Sequence, residues 1–268
     1  MTRYGPLFEN LKRKQEGAFV PFVMLGDPGI EQSFEIICTL IDAGADALEL
    51  GFPFSDPIAD GPTIQKSALR ALKHNTTPDQ CFEIIAKVRA RYSEIPIGLL
   101  LYSNLVMKRG LAEFYQAAHM SGVDSVLLAD VPFRESEPFR EQAKKNKIDH
   151  ILIAAPNVDE KALANIASSA TGYIYMLGRA GVTGAENQAD CDLSNTLGEL
   201  LQKKATPSLI GFGISRPEQI KNYLLAGAAG VIAGSATVNI IEKHETNAEV
   251  MHRELALFCQ AMKAATKL

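Results

Sequence analysis

Apolar residues along this chain follow two rhythms. Short continuous apolar runs recur, and between them apolar positions return every three or four residues. The runs predict eight strands, roughly Phe19–Leu25, Ala47–Gly51, Ile97–Tyr102, Ser125–Asp130, His150–Ala154, Gly172–Leu177, Ser208–Phe212 and Gly230–Ala233. The stretches between predict helices, for example Glu31–Ala43 and Pro217–Ala226. An amphipathic helix carrying Leu7, Phe8 and Leu11 precedes the first strand, and a last helix runs from about Ala248 to Ala265.

The junctions repeat as well. A helical pattern stops at Gly44, Gly122 and Gly227 shortly before an apolar run. Glycine tolerates the left-handed conformation that ends a helix. At helix starts, Thr77-Pro78-Asp79-Gln80 offers a cap, a proline at the first helical position and a glutamine three residues on. Ser215-Arg216-Pro217-Glu218 reads as a capping box closed by Glu218.

Continuous apolar strands that alternate with helices imply a parallel sheet covered on its outer face. Eight such units in about 250 residues predict an α/β fold, a (β/α)8 TIM barrel with an extra N-terminal helix, as a single domain over residues 1–268. A doubly wound open sheet is the alternative. At 268 residues and 47% hydrophobic, the chain has ample material for such a core.

Charge and cysteines narrow the function. A net charge of −4 gives no general attraction for nucleic acid, and Lys12-Arg13-Lys14 reads as a solvated helix face. Cys38, Cys81, Cys191 and Cys259 are far apart, with no metal knuckle or C-x-x-C motif. His74, His119, His150, His244 and His252 show no metal-ligand spacing. With no apolar signal core and no membrane-spanning run, a cytoplasmic setting is expected.

In a barrel the active site lies at the C-terminal ends of the strands. The second predicted strand ends Leu48-Glu49-Leu50-Gly51, and a proline-rich loop leads on to Asp60-Gly61-Pro62. A carboxylate inside an apolar strand is costly and needs a reason. Glu49 with Asp60 above it suggests proton transfer to and from a bound substrate. The last two strands open into Gly211-Phe212-Gly213-Ile214-Ser215 and Ala233-Gly234-Ser235-Ala236. Close-approaching glycine backbone at helix starts suits a phosphate, nominating Gly213, Gly234 and Ser235. Tight turns without a ligand are the alternative.

Side chains alternate across a strand. That parity nominates Phe22, Leu100, Tyr102, Leu127, Ala129, Ile153, Tyr175, Phe212 and Ile232 as walls of an apolar pocket, the deeper ones also fitting ordinary barrel core. After Gly178-Arg179, the run Ala180-Gly181-Val182-Thr183-Gly184 reads as a lid that brings Thr183 and Gly184 to the phosphate or to Asp60, or as a plain long connection. Asp130 has the opposite parity, so a capping or supporting role is expected. No lysine falls inside a predicted strand, which disfavours Schiff-base chemistry. No Walker or Rossmann glycine motif occurs. Carboxylate acid–base chemistry on an apolar ligand with a phosphate tail remains.

At these residues the chain resembles the alpha subunit family of tryptophan synthase over essentially its whole length. The resemblance rests on Leu48-Glu49-Leu50-Gly51, on Pro53-Phe54-Ser55-Asp56-Pro57 through Ala59-Asp60-Gly61-Pro62, on Arg179 to Gly184, and on the two glycine turns. Phe52 stands where an aliphatic residue is common, and Gly178 where a serine can occur. The resemblance implies a lyase of tryptophan biosynthesis that reversibly cleaves indole-3-glycerol phosphate to indole and glyceraldehyde 3-phosphate. It implies Glu49 as general acid/base and Asp60 at the indole N–H. It implies no cofactor in this subunit, pyridoxal phosphate in a beta subunit partner, and an alpha2beta2 heterotetramer. A barrel that serves chiefly as an allosteric binding subunit, and a sugar-phosphate isomerase, are the alternatives.

Overall fold

The computed structural model describes residues 2–178 and 193–268. Its strands are β1 (Ala18–Met24), β2 (Leu48–Gly51), β3 (Ile97–Leu101), β4 (Ser125–Leu128), β5 (Asp149–His150), β6 (Leu152–Ala154), β7 (Ile174–Leu177), β8 (Ser208–Gly211) and β9 (Gly230–Ala233). They run in the order β5-β4-β3-β2-β1-β9-β8-β7-β6, and all paired neighbours are parallel. β5 and β6 are two halves of the fifth predicted strand, divided at Ile151. One half pairs with β4 and the other with β7, while the Ile151 N–H still donates to the Val126 carbonyl at 3.0 Å. The ring therefore closes through this divided strand, as the (β/α)8 expectation required.

Helices cover the outside. Ile36, Ile37 and Leu40 of the helix Ile30–Asp42, and Leu255 and Cys259 of the helix Ala248–Ala264, bury against the outward strand residues. A separate apolar cluster fills the inside, including Val20, Ala47, Leu127, Ile151, Tyr173, Tyr175, Leu209 and Ile232. The alternation along each strand separates these two cores.

Several strand ends fall one or two residues short of their predicted limits. β3 stops before Tyr102, β4 stops at Leu128, and β7 starts at Ile174 because Gly172 has a left-handed φ of 71°. Gly44, Gly122 and Gly227 take left-handed φ values of 107°, 88° and 104° after their helices, as expected. The Thr77–Gln80 capping box is present. The second predicted box closes differently: Gln219, not Glu218, accepts the backbone N–H groups of Ser215 and Arg216, at 2.9 and 3.0 Å. Gln219 lies one residue further along, where its amide also donates to the Gly213 carbonyl at 3.0 Å, a bond a carboxylate could not make.

The N-terminal helix Tyr4–Lys14 closes the bottom of the barrel. Tyr4 is fully buried, stacks obliquely on Tyr173 at 5.2 Å, and shares a 3.0 Å hydrogen bond with the Ser125 hydroxyl. Gly98 makes the room: a Cβ there would lie 2.8 Å from the Tyr4 hydroxyl. Beside this plug, Asp124 is buried and accepts from Arg3, Arg89 and the Ile97 N–H at 2.9, 2.7 and 2.9 Å. One carboxylate thus joins the first helix, the helix Pro78–Arg91 and the start of β3.

Candidate active site

Parallel register sets the floor of the site. Phe22 of β1, Glu49 of β2 and Gly98 of β3 share one row, and Gly51, Leu100 and Leu127 form the row above. Glu49 points into the barrel and is 2% exposed. Above it opens a cavity of about 440 Å³, a size that suits a small organic ligand. Phe22, Leu100, Leu127, Ala129, Ile153, Tyr175, Phe212 and Ile232 line it, together with Glu49, Asp60, Gly213, Gly234 and Ser235. Strand parity predicts the apolar walls, turn chemistry predicts Gly213, Gly234 and Ser235, and the apolar strand and its proline-rich loop predict Glu49 and Asp60.

Tyr102 is the exception. It is buried but does not line the cavity; it stands behind Asp60, its hydroxyl donating to Asp60 Oδ2 at 2.9 Å. The strand ends one residue early, so its side chain leaves the alternation on which its wall position was predicted. Thr183 and Gly184 lie outside the described residues. Asp130 accepts from the Ser103 N–H and hydroxyl, both at 2.8 Å, and so caps the helix Ser103–Arg109.

The cavity also has walls that strand parity does not reach. Ile64, Ala236 and Asn239 come from helices beyond the loops, where strand alternation carries no information. Tyr173 is a further inward residue that the pocket prediction leaves out. It shares Tyr175's parity, and its hydroxyl donates to Glu49 Oε1 at 3.3 Å.

The two acids have different electrostatics. Burial pushes the Glu49 carboxyl up to about 8, the Tyr173 hydrogen bond opposes this, and the nearby Asp60 adds to it. Burial raises Asp60 only to about 6, against the Tyr102 hydrogen bond that favours its charge. Near neutral pH the site therefore holds a protonated Glu49 and an ionised Asp60.

The opposite rim is built from backbone. Phe212 and Gly213 both adopt left-handed conformations, with φ of 71° and 82°. For a bulky residue this conformation costs about 1–3 kcal/mol. It turns the chain sharply off β8 and sets the Phe212 ring edge-on to Tyr175 at 6.2 Å. Gln219 then braces the turn from both sides. Next to it the helix Ser235–Lys243 starts at the cavity, with Gly234 as its N-cap. The first N–H groups of a helix lack intrahelical partners and favour anions.

A closed parallel barrel with an apolar well and polar groups at its C-terminal mouth defines a class: barrel enzymes acting on small molecules. Comparison with known proteins identifies the family. The family model described as tryptophan synthase alpha chain matches residues 8–267. The tryptophan synthase alpha chain of Escherichia coli (strain SE11) is 57% identical over 267 residues, with 100% of both chains covered. Among solved structures, tryptophan synthase subunit alpha from Legionella pneumophila str. Paris superposes with a TM-score of 0.88 at 30% identity, covering 99% of this chain and 98% of that one. A chain of the tryptophan synthase complex from Pyrococcus furiosus matches with a TM-score of 0.82 at 33% identity, covering 92% of this chain and 98% of that one. The chain belongs to the tryptophan synthase alpha chain family, lyases of tryptophan biosynthesis.

Proposed function

We propose that this chain cleaves indole-3-glycerol phosphate at its barrel mouth, with Glu49 moving the proton and Asp60 holding the indole N–H. The observation that carries this reading is the pair of carboxylates on one apolar cavity, one protonated and one charged near neutral pH. The apolar walls take the indole ring. Backbone N–H groups at Gly213, Gly234 and Ser235 take the phosphate, with Gly184 beside them by family resemblance and Thr183 at the phosphate or at Asp60.

Indole is a poor carbanion leaving group, so its C3 must be protonated first. Glu49 gives its proton to C3, and the ring nitrogen becomes cationic. The Asp60 carboxylate accepts the N–H and stabilises that charge. Glu49, now a carboxylate, takes the proton of the adjacent glycerol hydroxyl. The carbon–carbon bond to C3 breaks, its electron pair restores the aromatic ring, and the hydroxyl carbon becomes the aldehyde of glyceraldehyde 3-phosphate. Glu49 ends protonated, as it began.

The family also supports a beta subunit partner in an alpha2beta2 assembly, with pyridoxal phosphate on the partner and no cofactor in this chain. Residues 1–268 would act there as one domain, in the cytoplasm. No helix among the described residues is long and apolar enough to cross a membrane.

Indole release from indole-3-glycerol phosphate tests the reading, measured with the purified chain alone and with added beta subunit. Wild type should release indole, faster with the partner. Glu49→Gln should lose about 10²–10⁴ in rate or more while still binding ligand. Unchanged activity in Glu49→Gln would sink the proton assignment. No release by wild type even with the partner would sink the reaction.

A further inference from the structure

Asp60 reaches the cavity from a loop rather than from a strand, so something must hold it there. The loop tip is exposed: Ser55, Asp56 and Ile58 face solvent, with Ile58 at 77%. Within the loop, short backbone bonds from Ile58 to Asp56 and from Asp60 to Pro57 shape the turn but tie it to nothing outside. Gln65, on the next helix, donates to the Asp60 carbonyl at 2.7 Å and fixes the backbone but not the carboxylate.

Among the described residues, Tyr102 supplies a further attachment, and it is the one that reaches the carboxylate. Its hydroxyl donates to Asp60 Oδ2 at 2.9 Å and accepts the Ala59 N–H at 3.0 Å. Its ring packs on Phe54 at 5.3 Å, at the other end of the loop. Tyr102 is itself immobilised: it is 3% exposed and follows β3 directly, and Asp130 pins the next residue, Ser103, through two hydrogen bonds. The chain of support runs from Asp130 through Ser103 and Tyr102 to Asp60.

We propose that Tyr102 is a positioning residue for the lyase reaction: its hydroxyl clasps the Asp60 loop by backbone and carboxylate together, fixing the carboxylate in its charged form at the cavity mouth. Burial and the neighbouring Asp60 push the phenol far above its ordinary range, so it stays a donor. A hydrogen bond given to a carboxylate favours its ionised state. With Asp60 acting on the indole N–H as proposed above, losing this bond weakens Asp60 in two ways: the carboxylate wanders, and it holds a proton at a pH where it should be charged. Neither effect reaches the phosphate rim.

Tyr102→Phe removes the hydroxyl and keeps the ring on Phe54. The pH dependence of kcat/KM for indole release should show its acidic limb displaced upward by about one unit. The loss should fall mainly on kcat, and glyceraldehyde 3-phosphate affinity should stay near wild type. A carboxyl carbon-13 NMR titration of Asp60 without substrate should move in the same direction. In an Asp60→Asn background the same change should alter the residual rate by no more than about twofold, since the ionisable carboxylate that the clasp keeps charged is already gone. Matched melting curves for Tyr102→Phe and wild type exclude a folding defect; a variant that unfolds is replaced by Ala59→Pro, which deletes the backbone half of the clasp. A uniform rate loss at every pH with an unmoved Asp60 titration would overturn the proposal. An Asp60 titration that moves while wild type releases no indole would uphold the clasp and reject the reaction instead.

Discussion

Tyr173 reaches Glu49 from the opposite side of the barrel, its hydroxyl donating to Oε1 at 3.3 Å. The tyrosine lies just before β7, four staves around the ring from β2. It favours the charged form of Glu49, yet burial outweighs it and leaves the carboxyl at about 8. Asp60, half-way out on its loop, stays at about 6.

A bell-shaped pH profile follows. The proposed mechanism needs Asp60 ionised and Glu49 protonated, so activity should rise as pH climbs through about 6 and fall as it passes about 8. Initial rates of indole release at subsaturating substrate measure these free-enzyme values. A profile that keeps rising beyond the alkaline value would show that Glu49 starts as a base.

The same raised carboxyl makes stability depend on pH. Unfolded, Glu49 releases its proton near 4.5; folded, it keeps it to about 8. Between those values the folded state binds more protons than the unfolded one, so this group's contribution declines as pH rises, by about 1.4 kcal/mol per unit. Glu49→Gln removes that dependence. Urea unfolding at about pH 5 and about pH 8 should show the variant gaining on wild type at the higher value. Parallel pH dependence in the two proteins would mean that Glu49 ionises as freely as a surface acid.

Gly234 separates binding from folding. Its φ of −94° is negative, its ψ of −82° lies just past the helical region, and the nearest atom to an added Cβ is Phe22 Cβ at 3.8 Å. The methyl of Gly234→Ala therefore meets no clash. It adds bulk at the start of the helix Ser235–Lys243, where the proposed phosphate site lies. A melting temperature within about 2 °C of wild type is expected, with a KM raised several-fold for the phosphorylated substrate. Indole affinity in the reverse reaction should change less. A variant with unaltered KM would move the phosphate elsewhere.

Asp124 should show the opposite behaviour. Removing it leaves Arg89, which is 13% exposed, without its carboxylate and unties three elements at the barrel floor. Breaking a buried pair from one side costs about 3–5 kcal/mol. Asp124→Ala should lose that order of stability in urea titration, while kcat at low temperature stays near wild type. A large kcat loss in a fully folded variant would connect the floor to the chemistry.

The barrel and most of its mouth were legible because strand alternation is a strict rule. Once Glu49 is taken as inward, the same period points Phe22, Leu100, Leu127, Ile153 and Ile232 at the cavity. The rule fails where strands end. Tyr102 follows the last residue of β3 and turns behind Asp60, and Ile151 interrupts a strand that reads as continuous. It is silent about helices, so Ile64 and Asn239 carried no signal. Gln219 in place of Glu218 is a subtler miss. The box motif counts residues from the cap, but the turn also offers the Gly213 carbonyl, and only an amide satisfies a donor and an acceptor there together.

The plug at the barrel floor ties the chemistry to the order of folding. Tyr4 belongs to the first helix, yet its partners Ser125 and Tyr173 lie more than a hundred residues downstream. Contacts so distant in sequence close late, because loop closure must come first. Tyr4 packs under Tyr173, whose hydroxyl meets Glu49, and burial is what raises that carboxyl. The start of the chain, far from either carboxylate in sequence, thus helps keep the floor beneath the acid dry.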